Sequence, residues 1–366
     1  MENVKKFFKS QPVLCVAFVL ACITCIFVPP GLFYVEYINT NVIIQLYALM
    51  VAVAGLSGSG LFKLLAEKIG NISGSLRGLG FMLMFATLVL SMFITNDVAL
   101  ITIVPFTCLL LSELEDEKPK ILIIVAETVA ANIGSMVTPV GNPQNIYLFN
   151  TYKMDTMKFV QVLLPSAVVA VVLLVIILFF LPSKKPHIPK GEGKITKKIN
   201  IPAFSAVFAI GLLCVLRFVD AWICLLFATA IALIFDRKVL KNIDWSLLAT
   251  FICFFIFVGN LANIKAINEL ISMTVQGREF IFSLFLSQFI SNVPTAVMLS
   301  NFTDKGYEIL LGTDIGGLGT PIASLASLIA LQAYRKSKGA DTLKFLKVFS
   351  IVNFGILFVL VILNGV

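Results

Sequence analysis

Short polar groups lie inside long apolar runs of this sequence, and they come in pairs. Thr95-Asn96-Asp97 interrupts the run 81–111, and Ser291-Asn292 interrupts 280–302. Gly134 to Asn145 breaks the run 121–149, and Gly316 to Pro321 breaks 309–334. A helix that unwinds in an apolar medium exposes carbonyls and amides, which must find partners; a bound ion or polar cargo is the useful partner. Glycine lowers the cost of unwinding, and Pro139 and Pro321 stop the helix because proline lacks an N–H and clashes with the preceding turn. Half-helix N-termini favour an anion, and half-helix C-termini offer carbonyls to a cation. Thr95, Asn96, Ser291, Asn292, Thr138 and Thr320 add hard oxygens and amide donors, with Asn96 and Asn292 as candidate sodium ligands. Packing alone does not explain Asn142-Pro143-Gln144-Asn145 inside an apolar segment, whereas for Ser57-Gly58-Ser59-Gly60 close helix packing suffices.

Ionisable groups sharpen this reading. Asp97, Glu127, Asp220 and Asp314 lie in or beside apolar spans, where a carboxylate is costly and reads as functional. Asp97 and Asp314 fall within the paired motifs, so they are the first candidates to ligate a cation or carry a proton. Asp220 sits at a helix end and reads as a solvated interface residue. The expected coupling ion is sodium or a proton, with no other cofactor.

These residues need a scaffold in lipid. Of the 366 residues 59% are apolar and 13% charged, against roughly 25% charged in soluble domains, and the mean hydropathy is +0.99. That composition excludes a soluble enzyme, a disordered chain and a disulfide-stapled secreted module. The net charge of +8 reads as basic loops that orient a membrane protein, with no nucleic-acid partner. The seven cysteines all sit in apolar runs and read as packing residues, including the pair Cys22 and Cys25. The sole histidine, His187, lies in a basic stretch, which leaves no triad and no zinc site. Without a nucleophile–base pair, a metal cluster or a phosphate-binding G-x-x-x-x-G-K-[ST] motif, neither an intramembrane enzyme nor an ATP motor is expected. A channel is the weaker alternative; flux faster than alternating access allows would reveal it.

Hydropathy gives candidate spans at 11–33, 42–65, 81–111, 121–149, 160–181, 201–216, 221–235, 245–262, 280–302, 309–334 and 345–363. All are read as helices, because an open strand edge is not tolerated in lipid. The order of parts repeats: two clean helices, an Asn-broken region, a Thr-Pro-broken helix and a clean helix. Phe93-Ile94-Thr95-Asn96 faces Phe289-Ile290-Ser291-Asn292, and Ile133–Pro139 faces Ile315–Pro321. The expected fold is therefore an all-α polytopic membrane protein with an inverted structural repeat, two re-entrant hairpins and two broken transmembrane helices. The first repeat is 1–181, with an inward hairpin about 79–111 and a broken helix about 120–150. A cytoplasmic basic linker follows at 182–200, then an extra transmembrane helix at 201–217, which inverts what comes after it. The second repeat is 218–366, with an outward hairpin about 279–303 and a broken helix about 307–334. The arms 81–94 and 98–111 are 14 residues each, about 21 Å as helix, short of a core roughly 30 Å thick. With the N-terminus placed in the cytoplasm, all of the 28 basic residues but Lys153, Lys158, Arg217, Lys265, Arg278 and Lys305 fall inside. The expected location is the cell (inner or plasma) membrane.

The motifs FITNDVA, ANIGSMVTPVGNPQN, FISNVPT and DIGGLGTPIAS resemble the ion transporter superfamily, which includes citrate-transporter-like permeases, divalent anion/sodium symporters, arsenite permeases and some sodium/proton antiporters. The resemblance covers essentially the whole chain. It implies an inverted-repeat fold with opposed hairpins and a homodimer with an elevator-type motion. It places Thr295, with Ser291 and Asn292, in the second tip motif, and it matches the carbonyls near Val137 and Gly319 to sodium-site loops. In dicarboxylate symporters each tip carries Ser-Asn-Thr. Here Asn is kept twice and the third-position Thr is lost twice, and the tip Asn96-Asp97 and Gly141-Asn142-Pro143-Gln144-Asn145 look closer to the arsenite and sodium/proton branches. The expected function is ion-coupled secondary transport of a small anion by alternating access, with sodium/proton antiport or arsenite-type permeation as the alternatives on the same fold.

Overall fold

A computed structural model describes residues 12–61, 64, 74–112, 114, 116–184 and 197–365. Most of the expected linker 182–200, His187 and Lys5, Lys6, Lys9, Lys63 and Lys68 lie outside the described residues. Every regular element among the described residues is helical, and six helices are long and apolar enough to cross a membrane. The protein is an all-α polytopic membrane protein.

The helices run α1 (Pro12–Phe27), α2 (Tyr34–Tyr37), α3 (Thr40–Gly58), α4 (Leu76–Ile94), α5 (Asn96–Leu110), α6 (Glu117–Met136), α7 (Pro143–Thr151), α8 (Thr156–Phe179) and α9 (Asn200–Val215). They continue with α10 (Ala221–Phe235), α11 (Val239–Asn242), α12 (Trp245–Asn263), α13 (Lys265–Val275), α14 (Glu279–Ile290), α15 (Asn292–Leu299), α16 (Gly306–Gly316), α17 (Leu325–Arg335) and α18 (Thr342–Leu363). Asp and Asn side chains start many of them: Asp116, Asn142, Asp155, Asp220, Asp244 and Asp341 each accept a hydrogen bond from the first-turn backbone.

Three boundaries differ from the hydropathy reading. The first span stops at Phe27, because Pro29 and Pro30 cannot continue the helix. The first arm before Asn96 begins at Leu76, capped by Ser75 Oγ on the Gly78 N–H at 3.1 Å, so it has 19 residues and reaches across a bilayer core. The short-arm argument therefore fails for α4 but still holds for α5, with 15 residues, and for α14 and α15, with 12 and eight. The third difference is α13, which hydropathy misses because KAINE is polar. Only Val275 of its described side chains is buried, and Leu270 and Met273 are 66% and 78% exposed. It has the make-up of a helix lying along the membrane interface.

Packing follows a matched plan in the two halves. α4 packs on α6, as α14 packs on α16. α5 packs on α17, as α15 packs on α7. α1 packs on α12 and α3 on α10, so each half contributes one partner to each pair. α9 packs on α3 and α10. α6 is the most buried span and runs through the middle of the apolar core. Gly134 makes its approach to α4 possible: a Cβ there would sit 2.2 Å from the Leu88 carbonyl oxygen.

Candidate functional site

The breaks are local consequences of sequence. Between α4 and α5 the only non-helical residue is Thr95, at φ 72° and ψ 148°; between α14 and α15 it is Ser291, at φ 74° and ψ 156°. This backbone region strongly favours glycine, and a residue held in it stores about 1–3 kcal/mol. Surrounding bonds fix both turns. The Asn96 N–H donates to Gly141 O at 3.2 Å, and the Asn292 N–H donates to Ala323 O at 2.9 Å. Each Asn Oδ1 accepts from the next backbone N–H, Asp97 at 3.0 Å and Val293 at 2.9 Å. Each Thr-Pro loop is tied to the arm before the tip. Thr138 Oγ1 donates to Met92 O at 2.5 Å, and Thr320 Oγ1 donates to Gln288 O at 2.8 Å.

The two halves then reach across to each other. Asn142 Nδ2, on the first loop, donates to Asp314 Oδ1 on α16 at 3.1 Å, and Gln144 Nε2 donates to the same oxygen at 3.2 Å. The mirrored contact runs from Ser324 Oγ, on the second loop, to Asn132 Oδ1 on α6 at 2.9 Å. Asn96 Nδ2 also donates to Asn132 Oδ1, at 3.2 Å. Asn132 and Asp314 thus occupy equivalent places, one with a neutral amide and one with a carboxyl group. Both tips, both loops and both broken helices meet in one hydrogen-bonded network.

Side-chain amides brace the loop carbonyls. Asn145 Nδ2 lies 3.2, 3.4 and 3.3 Å from the carbonyl oxygens of Ser135, Met136 and Thr138. Gln288 Nε2 donates to Gly316 O at 2.7 Å and Leu318 O at 3.0 Å, while its Oε1 accepts from the Thr320 N–H at 2.9 Å. Gly319, at φ 103°, lets Gln288 in; a Cβ there would lie 2.2 Å from its Oε1.

Three carboxyl groups keep a buried oxygen with no hydrogen-bond partner: Asp314 Oδ2, Asp97 Oδ1 and Glu127 Oε2. Thr107 Oγ1 donates to the other Glu127 oxygen at 2.5 Å. None of the three is ion-paired among the described residues. Asp97 and Thr95 line a cavity of about 350 Å³ that extends between α3 and α5 to exposed Asp244 and Asn242. Ser57 and Thr102 add hydroxyls to a wall that is otherwise largely apolar, and among the described residues no Lys, Arg or His lines it.

Of the residues singled out in the sequence, Asn96, Thr138, Asn142, Ser291, Asn292, Asp314 and Thr320 join the network directly. Thr95 and Asp97 border it on the cavity side. Val137 caps α6, its N–H on Gly134 O at 3.3 Å, and Pro139 and Pro321 lie in the loops. Thr295 stands apart, because its hydroxyl returns to Ser291 O at 2.8 Å within its own helix. Asp220 caps α10. Asn132, Gln144, Asn145, Gln288 and Ser324 were missed as individual site residues. Extending the repeat alignment one residue upstream of Ile133 would have found Asn132, since it sets Asn132 against Asp314.

The citrate transporter family model matches residues 9–304 of this chain. The chain belongs to the citrate transporter family. An uncharacterized transporter of Methanocaldococcus jannaschii is 36% identical over 252 residues, 68% of this chain and 69% of that protein. The inner membrane protein YbiR of Escherichia coli is 32% identical over 301 residues, 81% of this chain and 80% of YbiR. The silicon efflux transporter LSI3 of rice is 31% identical over 121 residues, 33% of this chain and 24% of LSI3. Among solved structures, the YdaH transporter of Alcanivorax borkumensis superposes with a TM-score of 0.54 at 13% identity, covering 91% of this chain and 87% of YdaH, a likeness of fold. Members of the citrate transporter family are membrane transporters, and this chain is a transporter rather than an enzyme.

Proposed function

We propose that this family member is an ion-coupled secondary active transporter that moves a small anion by alternating access, with sodium or a proton as the coupling ion. Asp314 carries the reading. Its carboxyl group is buried between the halves, held on one oxygen by Asn142 and Gln144, and open on the other. A carboxylate in that setting needs a cation or a proton, and a group bridging two halves can pass its binding state to both. The helix ends supply the rest. α5, α7, α15 and α17 start at the network and offer partial positive charge to an anion, while α4, α6, α14 and α16 end there and offer carbonyls to a cation. The Asn96 Oδ1 has a second lone pair beyond the one the Asp97 N–H uses, which suits it to sodium or cargo, while the Asn292 Oδ1 accepts from the Val293 N–H and, at 3.4 Å, from the Ser291 hydroxyl, a weaker donor that a cation or cargo can displace. The cavity from Asp97 to Asp244 is the access route of this state. The matched bonds and packing of the halves support an inverted repeat with re-entrant tips. The assembly is a homodimer in the inner membrane, with the N-terminus in the cytoplasm.

One observation favours a second reading. Among the described residues the cavity presents Asp97 and Asp244 and no basic side chain, a lining that disfavours a lone anion and admits an uncharged hydroxo species or an anion paired with a cation. That suits an arsenite-type permease, and LSI3 is by name a silicon efflux transporter. Sodium/proton exchange on Asp97 or Asp314 is the remaining alternative on this fold.

The test is a binding screen on purified protein, following thermal stability with candidate anions while sodium and pH are varied independently. A cargo that stabilises only when the coupling ion is present supports the proposal, since a ligand of the native state stabilises it by mass action. Equal stabilisation at every sodium concentration and pH contradicts it.

A further inference from the structure

A second recess adjoins the Asp97 cavity, sharing Ile101 and Ile329 with it, and opens at the Lys-rich end of the molecule. It has a volume of about 540 Å³ and runs between α5 and the C-terminal end of α17. Its floor is apolar, made by Ile101, Pro105, Leu109 and Ile329, and Ile101 and Leu109 are 58% and 56% exposed. Its rim carries Lys336 and Lys338, both exposed and neither paired with an acid among the described residues. The rim is fixed from below. Fully buried Lys120 donates to Lys338 O at 3.0 Å, pairs with Glu117 at 3.2 Å and sits over the Tyr334 ring.

We propose that this groove binds one anionic phospholipid, with the phosphate on Lys336 and Lys338 and an acyl chain along Ile101, Pro105 and Leu109. Charge complementarity selects the headgroup: two cations, unpaired with any acid among the described residues, stand at one end of the groove. The floor selects a lipid over free phosphate, because exposed Ile and Leu side chains lead from those cations along the helix toward the hydrocarbon. The groove joins α5 to α17, and at their other ends these helices begin at Asn96 and just after Ser324, both bonded to Asn132. A lipid there braces the helix pair that carries one tip and the opposite loop.

The experiment is native mass spectrometry of the full chain released from nanodiscs of phosphatidylcholine with a minor share of phosphatidylglycerol, with inorganic phosphate as a competitor. Wild type retains one phosphatidylglycerol in preference to phosphatidylcholine, and millimolar phosphate does not displace it. Lys336→Gln with Lys338→Gln weakens that binding roughly tenfold to thirtyfold, from about 1 kcal/mol per basic residue near an anionic surface. Leu109→Trp, which fills the floor and leaves both lysines, also expels the lipid. Lys344→Gln with Lys347→Gln, off the groove, leaves it bound. Undiminished phosphatidylglycerol preference in either groove variant, or displacement by phosphate alone, overturns the proposal. Equal loss in the Lys344/Lys347 variant overturns it as well, because that result marks a diffuse basic surface.

Discussion

Replacing Asp314 by Asn separates a structural role from coupling. The side chain keeps its shape and one carbonyl oxygen, so Asn142 and Gln144 still have an acceptor at 3.1 and 3.2 Å. Two hydrogen bonds to a charged oxygen contribute about 3–6 kcal/mol, and two to a neutral carbonyl about 1–3 kcal/mol, so the exchange costs roughly 2–3 kcal/mol. That lies within a total stability of about 5–15 kcal/mol, and the variant inserts and folds. What disappears is the exchangeable charge. Coupling between two ligands is typically about 1–3 kcal/mol, a 5–150-fold change in affinity. Cargo affinity of the purified protein, measured at saturating and at vanishing coupling ion, therefore changes by such a factor in wild type and becomes nearly constant in Asp314→Asn. A variant that keeps the full ion dependence of cargo affinity refutes the assignment of Asp314. A variant that no longer folds assigns it a structural role.

Other outcomes follow from the same geometry. Thr95→Gly relieves a positive-φ backbone and raises thermal stability in detergent by about 1–2 kcal/mol, provided the freed turn stays as ordered as before, whereas Ser291→Gly also loses the hydroxyl bond to Ala323 O at 3.2 Å and gains less. Asn96→Ala and Asn292→Ala abolish transport while membrane insertion, followed by fractionation, is unchanged; normal transport in both removes the tips from the site. Gly134→Ala drives a Cβ into the Leu88 carbonyl and costs about 3 kcal/mol or more, read as lost folded yield. At the membrane surface, the Lys197 ammonium on Asp236 holds that carboxyl below its ordinary range. A carboxyl depressed in the folded state stabilises above its unfolded pKa, and that contribution fades as pH falls through the folded value. Asp236→Asn therefore lowers stability at neutral pH and leaves it unchanged in acid.

The sequence carried the broken segments because a membrane leaves little other use for Asn, Thr-Pro and Gly-rich motifs in apolar runs. Each of those breaks lies where expected: α6 stops at Met136, α16 at Gly316, and the tips turn at Thr95 and Ser291. Element ends were less legible. Ser75 capping pulls α4 back through Leu76-Arg77-Gly78, which hydropathy treats as loop, and amphipathic α13 has too little apolar content for a span. The partners inside the site were harder still. Gln288 matters through bonds to the loop carbonyls that nothing in its local spacing signals, and Asn132, although the repeat alignment reaches it, matters through a bond made across space to Ser324 of the other half.

The most direct test is flux into proteoliposomes holding the purified chain, with sodium and proton gradients imposed separately and the membrane potential clamped. Accumulation of an anion above its external concentration under one of those gradients, ending when the gradient is collapsed, is the predicted result. Anion movement that only equilibrates, at the same rate with or without either gradient, would contradict coupled transport through the Asp314 network.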